Sequence, residues 1–179
     1  ATLMIAAVIL HQTRIFFTGA YRKPRDINWM VGMTILLCTL VIGFTGYSLV
    51  FEQLSFWGAT VGANIADNVP VLGPVMKRVM LAGDVYNERT LSRFFMLHAA
   101  VLPVLLCVLI ALHIAIIRIQ GVTEMKFADD TEKKPHFNFY PDHVYTEIIM
   151  GLVMMIVLSA LATVFPATLG MRADPLTTP

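Results

Sequence analysis

The sequence predicts an all-α integral membrane bundle, with about three full spans and one partial span, and three observations predict it. First, 57% of the 179 residues are hydrophobic and only 14% are charged, where soluble domains carry about 25% charged residues. Second, the mean hydropathy is +0.71. Third, the charges are bunched. No Asp, Glu, Lys or Arg occurs over the 25 residues from Ile27 to Phe51, the 24 from Phe94 to Ile117, or the 24 from Ile148 to Met171. A helix needs about 20 mostly apolar residues to cross the hydrocarbon core, so each run is long enough.

Taken in order, residues 1–18 read as a partial helix. Its apolar run, Thr2 to Leu10, has about half the length of a span, so the first half is expected before Ala1. It lacks the basic start of a signal peptide. Residues 29–50 form the next span. Residues 51–90 form a long but structured loop, because Phe51, Phe56, Trp57 and the apolar segment from Val69 to Val75 suit short helices at the membrane interface. Residues 91–118 span again, 119–141 form a linker, and 142–166 form a last span. The stretch Asp129-Asp130-Thr131-Glu132-Lys133-Lys134 is strongly polar and reads as a solvated connection.

The basic residues orient the bundle. Arg14, Arg22, Lys23 and Arg25 cluster around the loop 19–28, and Arg118, Lys126, Lys133 and Lys134 around the linker. The excess of Lys and Arg in cytoplasmic loops places both on the cytoplasmic (n) side. Lys77, Arg78 and Arg89 then face the opposite (p) side. A net charge of +1 leaves no basic footprint for nucleic acid. Cys38 and Cys107 fall in different apolar runs, form no metal motif and read as buried free thiols.

Ionisable residues inside membrane spans are rare and usually functional. His11, His98 and His113 all sit in apolar surroundings. Any one alone reads best as a hydrogen-bonded core histidine, but their arrangement says more. The first helix and the 91–118 helix run in the same direction, because one helix returns between them. His11 lies three residues before Arg14, and His113 five before Arg118, so both reach the same depth near the n side. Two imidazoles facing each other there suit six-coordinate ligation of a haem iron, an electron-transfer arrangement. His98 precedes His113 by 15 residues, which is roughly 22 Å along a regular helix and within about 60° of the same face. It needs a partner 14 or 15 residues before His11, beyond Ala1, which makes two stacked b haems.

Gly32 and Gly46, on the intervening helix, are 14 residues apart and repeat at nearly the histidine interval. Glycine lets a backbone approach a flat ring closely, although ordinary small-residue helix packing explains the pair as well. Arg14, Arg93 and Arg118 lie near the three histidines, where haem propionates need cations. Snorkelling to the interface accounts for them almost equally.

The stretches LHQTRIFFTGAYRKPRDINWMVG (10–32), GFTGYSLVFEQLSFWGATV (43–61) and LSRFFMLHAAVLPVLLCVLIALHIAIIRIQGV (91–122) resemble cytochrome b of the quinol–cytochrome c oxidoreductases. Residues 140–179 resemble the start of that family's C-terminal portion. The 15-residue histidine interval is similar to the cytochrome b6 branch, whose two portions are separate chains; here the linker joins them. By this resemblance, 1–118 is the N-terminal haem-binding part, 119–141 an n-side linker, and 142–179 the first helix of the subunit IV-like part.

The resemblance implies roles. His11 and His113 match the ligands of the n-side haem, His98 one ligand of the p-side haem, and Gly32 and Gly46 the glycines on which the haems pack. Gly58, Ala59, Thr60 and Val61, within Ser55 to Val61, match a wall of the quinol-oxidation pocket. The implied reaction oxidises quinol on the p side, sends one electron to a Rieske-type iron–sulfur protein and the other through the two haems, and contributes to proton translocation. A c-type cytochrome subunit, a homodimeric complex and the bacterial inner membrane are implied as well. An extra n-side c haem is left open, and neither cysteine matches its attachment site.

Two departures stand out. Val50-Phe51 replaces the Pro-Trp that commonly follows the Gly-Tyr-Ser-Leu run, and the Pro-Glu-Trp-Tyr motif with its proton-accepting glutamate is expected beyond Pro179. The chain alone is then not catalytically complete. Glu52 reads as an interfacial acid rather than a substitute base, and His136 and His143 as interfacial residues. A dihaem b membrane anchor of a dehydrogenase or hydrogenase is the alternative; it predicts no structured 51–90 loop. A haem-free transporter or assembly bundle predicts no haem spectrum at all.

Overall fold

The computed structural model describes residues 2–123 and 138–177, and these are helical apart from turns and one isolated bridge. Lys126, Asp129 to Lys134 and His136 lie outside the described residues. The chain divides into two units, residues 1–124 with 170–179, and residues 125–169.

In the first unit, α1 (Thr2–Phe17) leads through a tight turn into α2 (Asp26–Leu49). Asp26 occupies the first turn of α2, where a negative charge suits the helix dipole. The interior of α2 is uncharged, and its hydroxyls are satisfied within the helix. Thr39 donates to the Ile35 carbonyl at 2.8 Å, Thr45 to that of Val41 at 3.1 Å, and Ser48 to that of Phe44 at 2.9 Å. Such back-bonding leaves no hydroxyl proton unpaired in an apolar setting. The buried residues of α2 are all small: Gly32, Cys38, Thr39, Thr45 and Ser48.

The 51–90 region is structured, as the sequence predicts. Here α3 (Gln53–Asp67) begins with a capping box in which Glu52 N–H donates to Ser55 Oγ at 2.9 Å. Its buried residues Ser55, Phe56, Ala59 and Ala63 make one stripe. A turn at 68–72 reverses the chain into α4 (Gly73–Leu81), whose start is marked by Pro74. The apolar segment from Val69 is thus a turn running into a helix that continues to Leu81. Lys77 and Asp67 pair at 3.2 Å. Ala82, at φ +58°, ends α4 in the left-handed region.

Next, α5 (Glu88–Met96) is capped by Asn87, whose Oδ1 accepts from Arg89 N–H at 2.8 Å. A π turn (Leu97–Val101) and α6 (Leu102–Gln120) continue it as one rod of 33 residues, longer than the predicted 91–118 span. The rod is therefore not a regular α-helix between His98 and His113, as the 60° offset assumes. Phe56, Ala59, Ala63, Leu81, Tyr86 and Phe94 form the core, with ring centroids 5.1 Å apart for Phe56–Tyr86 and 5.9 Å for Phe44–Phe94. The buried Tyr86 hydroxyl donates to the Ser48 carbonyl at 3.0 Å, tying the loop to the end of α2.

Residues 170–177 lie against the start of α3. Glu52 and Arg172 form an antiparallel bridge. Gly170 N–H donates to Glu52 Oε1 at 2.6 Å, Asp174 N–H to Gln53 Oε1 at 2.7 Å, and Trp57 Nε1–H to the Thr177 carbonyl at 2.9 Å.

The second unit holds a turn (Phe139–His143) with extended backbone at Tyr140, followed by α7 (Val144–Val164), which is apolar on every side beyond its first turn, as a helix surrounded by lipid would be. Among the described residues, three helical stretches are long and apolar enough to cross a membrane: Asp26–Leu49, Glu88–Gln120 and Phe139–Val164. A shorter apolar helix runs over Leu3–Phe17. The sequence-based boundaries fall within a few residues of these.

Candidate functional site

Helix α2 packs along the α5–α6 rod, and two glycine–histidine contacts mark the seam. At Gly46 an added Cβ would stand 2.5 Å from His98 Cε1 and 3.1 Å from its Nδ1. Only a residue without a side chain admits the imidazole there. At Gly32 an added Cβ would stand 3.3 Å from His113 Cε1 and 3.5 Å from Gln12 Nε2 of α1. The structure thus brings each of the two glycines to one of the histidines.

His98 is held by its Nδ1, which lies 3.0 Å from the Ile42 carbonyl and 3.2 Å from Thr45 Oγ1. A carbonyl only accepts, so Nδ1 carries the proton and Nε2 presents its lone pair. Nε2 makes no hydrogen bond among the described residues. A ring anchored by one nitrogen with the other free is the usual state of a metal-ligating histidine.

His113 Nδ1 is buried and has no hydrogen-bond partner among the described residues. His11 is exposed on α1. Among the described residues no three His, Cys, Asp or Glu side chains cluster as a metal cage.

Arg14, Arg93 and Arg118 are exposed. Arg93 Nη1–H donates to the Val79 carbonyl of α4 at 3.0 Å, which ties the start of the rod to the loop layer. By sequence alone Arg25 is one orienting charge among several. The structure engages it with the end of α6: its Nε–H donates to the Gly121 carbonyl at 3.0 Å and its Nη2–H to that of Val122 at 3.1 Å. Nothing in a run of basic residues singles out the one that reaches these carbonyls.

All four residues expected at the quinol pocket lie on α3. Ala59 belongs to the buried core, Gly58 and Val61 are exposed, and the Thr60 hydroxyl donates to the Phe56 carbonyl at 2.9 Å. A cleft of 640 Å³ opens beside them, lined by Phe51, Phe56, Tyr86, Arg89, Arg172 and Pro175 among others, and none of the four lines it. Glu52 takes part in the α3 capping box, and its Oε1 accepts from Gly170 N–H. His143 and Glu147, both exposed, approach to 3.8 Å. Cys38 is buried as expected, but Cys107 lies on the exposed face of α6, because residue 107 falls away from the seam with α2.

The chain matches the family model described as cytochrome b (N-terminal)/b6/petB over residues 2–171. It is 41% identical over 122 residues to cytochrome b6 of Heliomicrobium gestii, covering 68% of this chain and 57% of that one. To the menaquinol:cytochrome c reductase cytochrome b subunit of Geobacillus thermodenitrificans it is 43% identical over 125 residues, covering 69% and 55%. The chain thus spans little more than half the length of these curated relatives. Among solved structures, a hyperthermophilic respiratory Complex III chain superposes with a TM-score of 0.75 at 25% identity, over 99% of this chain and 50% of that one. An all-helical fold with three span-length apolar helices, a double glycine–histidine seam and a family match over nearly its whole length make this chain an integral membrane protein of the cytochrome b/b6 family.

Proposed function

We propose that this chain is the haem-holding part of the cytochrome b subunit of a quinol–cytochrome c oxidoreductase in a bacterial energy-transducing membrane. The observation that carries the reading is the double pairing of Gly46 with His98 and Gly32 with His113. The family implies b-type haem, and the residues fit it. His98 offers an oriented Nε2 that makes no hydrogen bond among the described residues, and the His113 ring sits half-buried against Gly32 on the same seam.

His11 and His113 would hold one b haem, and His98, with a ligand from outside the 179 residues, a second. A b haem ligated by two imidazoles supplies one-electron transfer and has no open iron position for substrate. The protein's part is positioning. Ile42 and Thr45 set the His98 ring, Gly32 and Gly46 give it and its counterpart room, and the apolar faces of α2 and α6 exclude water. Arg14, Arg93 and Arg118, three to five residues from the histidines, supply guanidinium groups to carboxylates at the haem edge.

Quinol is the substrate on the p side, with Gly58, Ala59, Thr60 and Val61 of α3 forming one wall of its pocket. A Rieske-type iron–sulfur protein and a c-type cytochrome are the partners, in a dimeric complex that couples electron flow to proton translocation. Residues 142–179 begin the subunit IV-like portion. The α3–α4 layer favours this reading over a dihaem membrane anchor. The test is a reduced-minus-oxidised spectrum of the parent complex, taken with quinol as the reductant. A b-type α-band that appears with quinol supports the proposal, and a spectrum without one sinks it.

A further inference from the structure

The two helices of the seam count differently. On α2 the glycines are 14 residues apart, while on the α5–α6 rod the histidines are 15 apart, yet Gly46 meets His98 and Gly32 meets His113. In a regular helix each residue turns the chain by about 100°, so one extra residue would swing His98 well away from Gly46 when His113 is seated on Gly32. The rod contains one place where an extra residue is absorbed. Across the π turn Leu97–Val101, Leu102 N–H bonds to the Leu97 carbonyl, five residues back rather than four.

The sequence supplies a cause. Pro103 has no N–H to give the Ala99 carbonyl, and in a regular helix its ring would press on that carbonyl. A widened turn relieves both problems one residue after His98.

We infer that the π turn at Leu97–Val101 is a register adaptor, which makes the 15-residue histidine interval behave as 14 and so seats His98 on the haem face set by Gly46. Ala99 to Val101 are then positioning residues that act through His98. The inference rests on the ligand roles proposed above.

The test uses the intact parent complex and a paired deletion and insertion, read by the number of b haems in redox-titrated spectra. Deletion of Ala100 removes the extra residue and restores a regular helix with a 14-residue interval; both b haems are retained. Insertion of one alanine after Ala100 has no second adaptor to absorb it; the count falls from two to one, and the n-side haem remains as the internal sign of a folded chain. Loss of the p-side haem on deletion, or retention of both on insertion, overturns the inference. Should either variant fail to assemble, a density map of the unaltered complex decides. A Leu102 N–H bonded to Leu97 O supports the adaptor, and an unbroken four-residue ladder from Leu97 to Leu102 refutes it. If the unaltered complex shows no b-type α-band, the functional reading itself has failed. Two haems in the parent with one lost on deletion would fault only the adaptor.

Discussion

Gly46 and His98 occupy touching space, since a methyl group on Gly46 would stand 2.5 Å from His98 Cε1. Gly32 leaves more room, with 3.3 Å to His113 Cε1. The two glycines are therefore unequal. Gly46→Ala is expected to displace the His98 ring and remove the p-side b haem, while Gly32→Ala keeps both haems with a shifted midpoint potential. Equal effects in redox-titrated spectra would contradict the geometry.

His113→Leu is expected to remove one of two b haems and leave the other. Both haems surviving would show that His11 and His113 are not a pair.

Thr45→Val leaves the Ile42 carbonyl as the sole partner of His98 Nδ1. Both haems should remain, because a net hydrogen bond contributes about 1 kcal/mol. The p-side midpoint potential should move while the n-side one stays. A shift in the n-side haem alone would contradict the placement of Thr45.

Burial raises the Tyr86 hydroxyl above its ordinary value of 10.0. A raised folded-state value means a contribution to stability that is fully present below pH 10 and lost as pH climbs through the raised value. Tyr86→Phe should destabilise the fold near neutrality by roughly 1–3 kcal/mol, because the buried Ser48 carbonyl loses its donor, and the melting temperature should fall accordingly. It should also remove that alkaline component. Melting curves between pH 7 and 11 read both effects.

Glu52→Ala removes the acceptor for Gly170 N–H and half of the α3 capping box. A lost cap costs about 1 kcal/mol. Limited proteolysis should cut faster between Gly170 and Thr177, with both b haems unchanged. Loss of haem would mean that Glu52 does more than clasp the tail.

Much of the architecture was legible because membrane insertion is decided by local composition. A charge-free run such as Ile27 to Phe51 announces a span wherever it occurs, and its ends err only by the polar first turn, as at Asp26. The helical character of the 51–90 region was legible from its aromatics, though its turn at 68–72 was not. The histidines were visible for the same reason as the spans: an imidazole is conspicuous among apolar neighbours. Arg25 was not visible, because one basic residue in a cluster looks like the next until the chain brings carbonyls to it.

The sequence by itself determined the helices, the three histidines, the two glycines and the intervals between them, all of which are properties of residue order. The pairing of Gly46 with His98 and Gly32 with His113 is different in kind. Intervals of 14 and 15 cannot both be met by two regular helices, so the match depends on a π turn that only the folded rod displays. Residue spacing fixes angles along one helix, but contact between helices depends on how each backbone is wound, and only the folded rod shows that the turn before Pro103 widens enough for both contacts to form.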